Sequence, residues 1–271
     1  MAKEKKLSFV GGGVMAEAII AQVLVSGIVD NNNISIGEKD DNRRDYLHQQ
    51  YGAQTSSDNL EAISTCDMIV IAVKPQQIAD VLNNIKGKLG RDQTVLSIAA
   101  GIRIDTIIEL SNHSNVIRVM PNTPAQIGQG VSVWTNTIDV GEENLAFADR
   151  IISTLGESVH VDEEKYIDMA TALSASGPAY VFTFLESLVD AGVHLGLSRE
   201  MANRLAINTV VGSALLARES DKHLSVLRNM VTSPGGTTAE ALLELERAGF
   251  RGTIMDAVMA AYNKSLILGE D

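Results

Sequence analysis

The 271-residue chain has one cysteine, Cys66. That excludes an intrachain disulfide framework and suits a reducing compartment. With Asp67 beside it and no motif around it, Cys66 reads as a small buried residue and not as a nucleophile. Basic residues are also few: 22 Lys and Arg stand against 34 Asp and Glu, a formal net charge of −12. Such a balance repels nucleic acid and anionic membrane, so neither is expected as a partner. A small anionic substrate is not excluded, because the charge of a pocket can differ from the net charge. No apolar run is free of charge over a membrane's thickness. The longest, about residues 179–197, carries Glu186, Asp190 and His194, and reads as a helix buried in protein. The basic head MAKEKK precedes an apolar stretch, but Glu17 and three glycines interrupt it. It is not read as a targeting segment, and a cytoplasmic location is expected. The histidines (His48, His113, His160, His194, His223) sit in no motif, and no metal site is expected. There is no repeat, no low-complexity run and no flexible linker.

What is present is a change of pattern part-way along. Hydrophobic residues make up 45% of the chain, enough for a sizeable core and two domains. Apolar runs at 7–10, 33–38, 68–73, 94–100, 115–120, 130–135 and 157–161 read as strands. Most are separated by helical patterns, at 15–27, 42–51, after Pro75, 102–110 and 142–155. Strands alternating with helices imply a parallel, doubly wound α/β sheet, assigned to residues 1–162. From Glu163 the strand signals stop, and residues 163–271 read as all helix. Several of those helices are apolar on more than one face. So small a domain has little interior, which points to burial against a second subunit.

Gly11-Gly12-Gly13-Val14-Met15-Ala16 matches the G-x-G-x-x-A/G dinucleotide fingerprint in its confirming context, between a strand and a helix. Gly11 serves the tight turn, Gly13 the close approach of a diphosphate, and Ala16 the packing of helix on strand. The tip of the second strand, where an adenosine ribose is read, holds Glu38 and Lys39, with Arg43 and Arg44 beyond. Glu38 suits the free ribose hydroxyls of NADH, whereas Lys39 and the arginines suit the extra phosphate of NADPH. Ordinary solvated charge is the other reading of all of these, and it applies well to Arg43 and Arg44. Three later strand ends finish in small, Pro or polar residues: Ala72-Val73-Lys74-Pro75, Ser97-Ile98-Ala99-Ala100-Gly101 and Met120-Pro121-Asn122-Thr123-Pro124. Ligands of open α/β sheets lie outside such ends. Ser174-Ala175-Ser176-Gly177-Pro178 joins two helical patterns, with a serine as a candidate N-cap. Ser233-Pro234-Gly235-Gly236-Thr237-Thr238 interrupts two more and looks built to receive a small anion.

GGGVMAEAI, AVKP, SIAAGI, VIRVMPNTPA, SGPAYVF and SPGGTT, in this order, resemble pyrroline-5-carboxylate reductases over residues 7 to about 265. The resemblance implies a Rossmann-type domain followed by an all-helical dimerisation domain. It implies NADPH- or NADH-dependent reduction of a cyclic imine carboxylate to proline. Family members assemble as homodimers through the helical domain, often as rings of dimers. Carried over, the cofactor positions are Val10, Gly11, Gly12, Gly13, Val14 and Met15 around the first loop. Glu38, Lys39 and Asn59 follow, then Ala72, Val73, Lys74 and Pro75, then Ile98, Ala99 and Ala100. Val231, Gly235, Gly236, Thr237 and Thr238 fall at the substrate, with Thr238 placed to hydrogen-bond the ring nitrogen. Gly12 stands at the variable position of the loop. Ala175 replaces a common glycine, and Glu38 replaces a frequent Ser or Thr, which opens the choice of cofactor. Two other readings compete. A β-hydroxyacid dehydrogenase places a Lys in its helical domain, but no Lys occurs between Tyr166 and Asp221. A non-catalytic nucleotide sensor has no need of SPGGTT.

Overall fold

The computed structural model describes residues 4–269. The first three residues of the basic head and the last two residues of the helical region fall outside it. The chain forms two compact units. One runs to Ser176 and takes back the chain from Ala261 on; the other is Gly177–Ala260.

In the first unit the elements are β1 (Leu7–Val10), α1 (Val14–Val25), β2 (Ile34–Gly37), α2 (Asp41–Tyr51), β3 (Gln54–Ser56), α3 (Asn59–Ile63), β4 (Met68–Ile71) and α4 (Ile78–Ile85). They continue with β5 (Thr94–Ser97), α5 (Ile104–Ser111), β6 (Val116–Met120), β7 (Gly130–Asn136), α6 (Glu142–Ser153), β8 (Gly156–His160) and α7 (Lys165–Ala170). The eight strands make one sheet in the order β3-β2-β1-β4-β5-β6-β7-β8. The chain leaves β1 to one side for β2 and returns to its other side with β4. The carboxyl end of β1 is therefore a topological switch point, where open sheets bind ligands.

Side chains alternate across each strand and feed two cores. Phe9, Ile36 and Val70 pack with Ile19 and Ile20 of α1, while Val10, Ile69 and Ile71 pack with Ile78 and Leu82 of α4. Each such fully buried side chain contributes about 1.5–3 kcal/mol. That two-sided burial is why these strands are apolar throughout.

Two features depart from the alternating pattern. β3 is a short polar strand beside β2, and α3 follows it, five residues that bury Ala62 and Ile63 but are too short for a helical period. β7 runs antiparallel to β6, whereas every other neighbouring pair is parallel. Residues 121–129 supply only a 3₁₀ turn, too short for a crossover, so the chain can return only as a hairpin. The 162/163 boundary marks the end of the strand signals. By packing, α7 still belongs with the sheet, because Arg118 of β6 ties it down.

The second unit contains α8 (Gly177–His194), α9 (Arg199–Glu219), α10 (Leu224–Met230), α11 (Thr237–Arg247) and the first part of α12 (Phe250–Leu268). Its buried cluster is small: Val189, Ala202 and Ala206, with Leu185 and Val193 against them. A Cβ on Gly192 would lie 2.9 Å from that of Ala202, so glycine sets the close crossing of α8 and α9. Large apolar side chains stay exposed around this core, among them Phe182 at 59% and Met255 at 68%.

Candidate active site

The glycine loop leaves β1 at its carboxyl end. Gly11 has φ +94°, and a Cβ there would meet Val73 Cγ1 at 2.8 Å and the Ala72 carbonyl oxygen at 2.9 Å. Only glycine fits, on conformation and on space. Gly12 is constrained by space alone: a Cβ would lie 2.6 Å from Leu47 Cδ1 of α2, a fully buried side chain. In this chain, then, Gly12 is not a freely variable position. Gly13 is the N-cap of α1, without a side-chain cap hydrogen bond, and a Cβ there would meet nothing within 4 Å. The open space over an uncapped helix N-terminus is where a diphosphate fits. Val10 and Ala16 are buried below, Met15 packs on the core, and Val14 is exposed.

A groove beside this loop is lined by Gly12, Gly13, Val14 and Glu38, together with Asp40, Asn42, Arg43 and Tyr46. Glu38, just past β2, accepts hydrogen bonds from the Gly12 amide (2.8 Å) and the Asp40 amide (3.1 Å). Asn59 at the start of α3 packs on Gly37, leaving no room for a side chain there. Lys39 is exposed. The two arginines are not ordinary solvated charges. Arg43 donates from Nε to the Gly12 carbonyl (2.6 Å) and pairs with Glu17 of α1 (2.5 Å). Arg44 donates to the carbonyls of Glu38 and Lys39 (2.8 and 2.9 Å) and pairs with Asp41.

Tyr46 and Tyr51 both donate to Glu17, each at 2.9 Å. Burial works to raise the Glu17 carboxyl. The hydrogen bonds from Arg43, Tyr51 and Tyr46, with the Arg43 charge, outweigh it and hold the group below its ordinary value. Burial and the bond to Glu17 push the Tyr51 hydroxyl up to about 12. The four side chains clasp α2 to the glycine loop. No motif reveals the clasp, because its members are scattered over two helices.

At the next strand ends, Ala72 donates to the Val10 carbonyl (2.9 Å) and Ile98 to the Ile71 carbonyl (3.2 Å). Ala72, Val73 and Ile98 are half-buried, Ala99 is buried and Ala100 half-buried. Lys74 is exposed at the cap of the turn that Pro75 opens. Cys66 is remote in role: burial pushes its thiol up to about 11, so it is held as the neutral thiol.

Asn122, in MPNTP, ties this region together. Its Oδ1 accepts from the Val131 amide (2.9 Å), and its Nδ2 reaches the carbonyl and hydroxyl of Ser174, both at 3.3 Å. The serine of this segment is not an N-cap. Residues 171–175 form a π-helical turn that runs on into α8 through Ser176, which has helical angles (φ −80°, ψ −21°). Pro178 lacks the N–H that would have bonded the Ser174 carbonyl, and Asn122 occupies that acceptor instead. Nearby, Arg118 is 2% exposed and pairs with Glu164 (2.7 Å) and Asp168 (2.9 Å). Its only sequence signal is a charge inside the apolar strand VIRVM.

The second loop lies in the other unit. α10 ends at Met230 with the exposed Val231 as its C-cap, and α11 begins at Thr237 with Gly236 as an uncapped N-cap. Gly235 takes φ +65°, and a Cβ on Gly236 would collide with the Ser233 hydroxyl. Glycine is required at 235 for conformation; at 236 a Cβ would displace the Ser233 hydroxyl and come within 3.2 Å of the Ser233 carbonyl oxygen. The amides of Thr237 and Thr238 open the helix and point beyond it. Thr238 is half-buried and Thr237 exposed. Among the described residues, no His, Cys, Asp and Glu cluster could hold a metal ion, and no helix is long and apolar enough to cross a membrane.

Residues 164–268 match the family model for pyrroline-5-carboxylate reductase dimerisation. Residues 6–101 match that for NADP oxidoreductase, coenzyme F420-dependent. A pyrroline-5-carboxylate reductase of Synechocystis is 41% identical over 98% of both chains. One of Arabidopsis thaliana is 39% identical over 99% of this chain and 97% of its own. Among solved structures, a pyrroline-5-carboxylate reductase of Coxiella burnetii superposes with a TM-score of 0.89 at 33% identity, covering 98% of this chain and 99% of that one. The Plasmodium falciparum enzyme, solved with NADP bound, gives 0.88 at 36% identity over 98% of both.

Proposed function

The chain belongs to the pyrroline-5-carboxylate reductase family, and from that premise we propose how its residues share the reduction of 1-pyrroline-5-carboxylate to L-proline. It is an oxidoreductase of the last step of proline biosynthesis, dependent on a reduced nicotinamide nucleotide, NADH or NADPH. When bound, that nucleotide supplies the hydride. Residues 10–15 hold its diphosphate on the uncapped N-terminus of α1. Glu38, Lys39 and Asn59 lie at the adenosine end. Residues 72–75 and 98–100 leave room at the strand ends for the nicotinamide and its ribose. We place the enzyme in the cytoplasm.

The helical unit carries the substrate, at the loop between α10 and α11. The amides of Thr237 and Thr238 receive its carboxylate, while that of Gly236, which the family likeness also assigns to it, donates to the Ser233 carbonyl (3.1 Å), so an acidic chain binds an anion without a dedicated arginine. The Thr238 hydroxyl orients the ring nitrogen. No residue from Val231 to Thr238 titrates near neutral pH. This suits a substrate whose protonated imine is already electrophilic, so that catalysis is mostly orientation. The exposed apolar side chains of the helical unit support pairing with a second copy. Light scattering separates a dimer from a ring of dimers.

The observation that carries the reading is the double-glycine turn into an uncapped helix, in a chain matching the family end to end. The test is consumption of reduced nucleotide with pyrroline-5-carboxylate. Thr238→Ala should lower kcat/KM at least about tenfold, the worth of one well-placed hydrogen bond, with nucleotide affinity unchanged. Full activity in that variant would remove Thr238 from the site.

A further inference from the structure

We propose that this chain takes NADH in preference to NADPH, and that Glu17 enforces the choice by keeping Arg43 away from a 2′-phosphate. The inference rests on reading residues 10–15 as the nucleotide loop.

The argument starts from Glu38. Its carboxylate is fixed by the amides of Gly12 and Asp40, at 2.8 and 3.1 Å, one on each oxygen. A carboxylate has about four acceptor positions, so about two remain for the two hydroxyls of an unmodified ribose. A 2′-phosphate brings a charge of about −1.5 to −2 and nothing to donate, and it meets Glu38 and Asp40 on the groove wall.

Acceptance of that phosphate needs a free cation, and each arginine nearby is engaged. Arg44 spends its guanidinium on the Glu38 and Lys39 carbonyls and on Asp41. Arg43 lines the groove, but its Nε is on the Gly12 carbonyl and its Nη2 on Glu17. Glu17 is held in turn by Tyr46 and Tyr51, so swinging its carboxylate away to release the arginine breaks two further hydrogen bonds. Lys39 is exposed, and among the described residues its ammonium has no hydrogen-bond or ion-pair partner to aim it at the groove. Glu38 is therefore the residue that meets the ribose. Glu17 is a positioning residue that acts through Arg43.

The experiment is calorimetric binding of NADH and NADPH to the full chain, beside kcat/KM for each with pyrroline-5-carboxylate. Wild type should bind NADH at least about tenfold tighter, the equivalent of one charge-assisted hydrogen bond. Glu38→Ser should lower the NADH/NADPH affinity ratio by about tenfold or more. Glu17→Gln should tighten NADPH about tenfold while NADH changes by less than about threefold, and adding Arg43→Ala should abolish that gain. KM for pyrroline-5-carboxylate should not move, which separates this effect from a general loosening. Should Glu17→Gln fail to fold, Tyr51→Phe, which removes one bond to Glu17, should shift NADPH in the same direction by a smaller factor. Equal or tighter binding of NADPH by wild type overturns the preference. An unchanged NADPH affinity in Glu17→Gln overturns the role of Glu17. Absence of binding by either nucleotide overturns the nucleotide-loop reading itself, a different failure.

Discussion

Replacing Arg118 by Met tests how the first unit holds its helical extension. The guanidinium is 2% exposed and faces two carboxylates, Glu164 at 21% and Asp168 at 13% side-chain exposure. Glu164 Oε1 also receives the Ile104 amide (2.8 Å), and Asp168 Oδ1 the Ser265 hydroxyl (3.3 Å). One side chain on β6 thus anchors the start of α5, all of α7 and the last turns of α12. Methionine keeps much of the volume and removes the charge, leaving two carboxylates without their cation. Breaking a buried pair this way costs about 3–5 kcal/mol. Partial exposure of Glu164 lets water relieve some of that, so the lower end applies, about 3 kcal/mol. At about 2–4 °C per kcal/mol for a chain near this size, Tm should fall by about 6–12 °C. The assay is thermal unfolding followed by circular dichroism, at one protein concentration because assembly shifts Tm. The companion is Arg118→Met with Glu164→Gln and Asp168→Asn, which removes the orphaned charges while keeping acceptors for Ile104 and Ser265. It should recover more than half of the loss. A single variant melting within about 2 °C of wild type would refute the reasoning. So would a triple variant no more stable than the single one, because the cost would then be lost packing and not uncompensated charge.

Two further outcomes follow from the glycine loop. Gly13→Val should lower Tm by no more than about 2–4 °C, since a Cβ there meets nothing within 4 Å and its φ of −67° suits any residue, which leaves only the poorer N-cap, about 1 kcal/mol. It should weaken nucleotide binding at least about a hundredfold by filling the diphosphate position, and calorimetry showing wild-type affinity would reject the loop assignment. Glu17 supplies a pH dependence. Its folded carboxyl lies below the ordinary value, so its contribution to stability is complete above that ordinary value and is lost as pH falls through the folded one. The stability gap between wild type and Glu17→Gln, measured by urea unfolding from neutral pH downward, should therefore close on the acid side. A gap that does not change with pH would separate Glu17 from the clasp.

What could be read from sequence follows the range of the interactions. β1, β4 and β5 announce themselves because a strand covered on both faces must be apolar along its length, and Gly11 because a positive φ needs glycine wherever the chain runs next. SPGGTT is legible for the same reason: its conformational demand is local, whatever it binds. β3 escapes because a three-residue edge strand, QTS, needs no apolar face. The reversal of β7 escapes because it depends on residues 121–129 being too short to cross the sheet, which the strand run itself does not encode.

The site residues divide along the same line, and Gly12 shows why. Its neighbours Gly11 and Gly13 answer to turn geometry and ligand approach, both visible in a six-residue window. The demand on Gly12 comes from Leu47, a core residue of α2, whose Cδ1 would lie 2.6 Å from an added methyl. That contact exists only once β2 has paired with β1 and carried α2 over the loop. Arg43 and Arg44 belong to the same helix and depend on the same placement. In the sequence they are two cations beside an acidic pair, free to be solvent-facing or phosphate-binding. In the fold, Arg43 closes on Gly12 and Glu17, and Arg44 on the backbone beside Glu38. Each arginine thereby becomes part of the wall that presents Glu38. A charge acquires its role from the partner that the sheet register brings to it, and register is a property of whole strands, which no short motif contains.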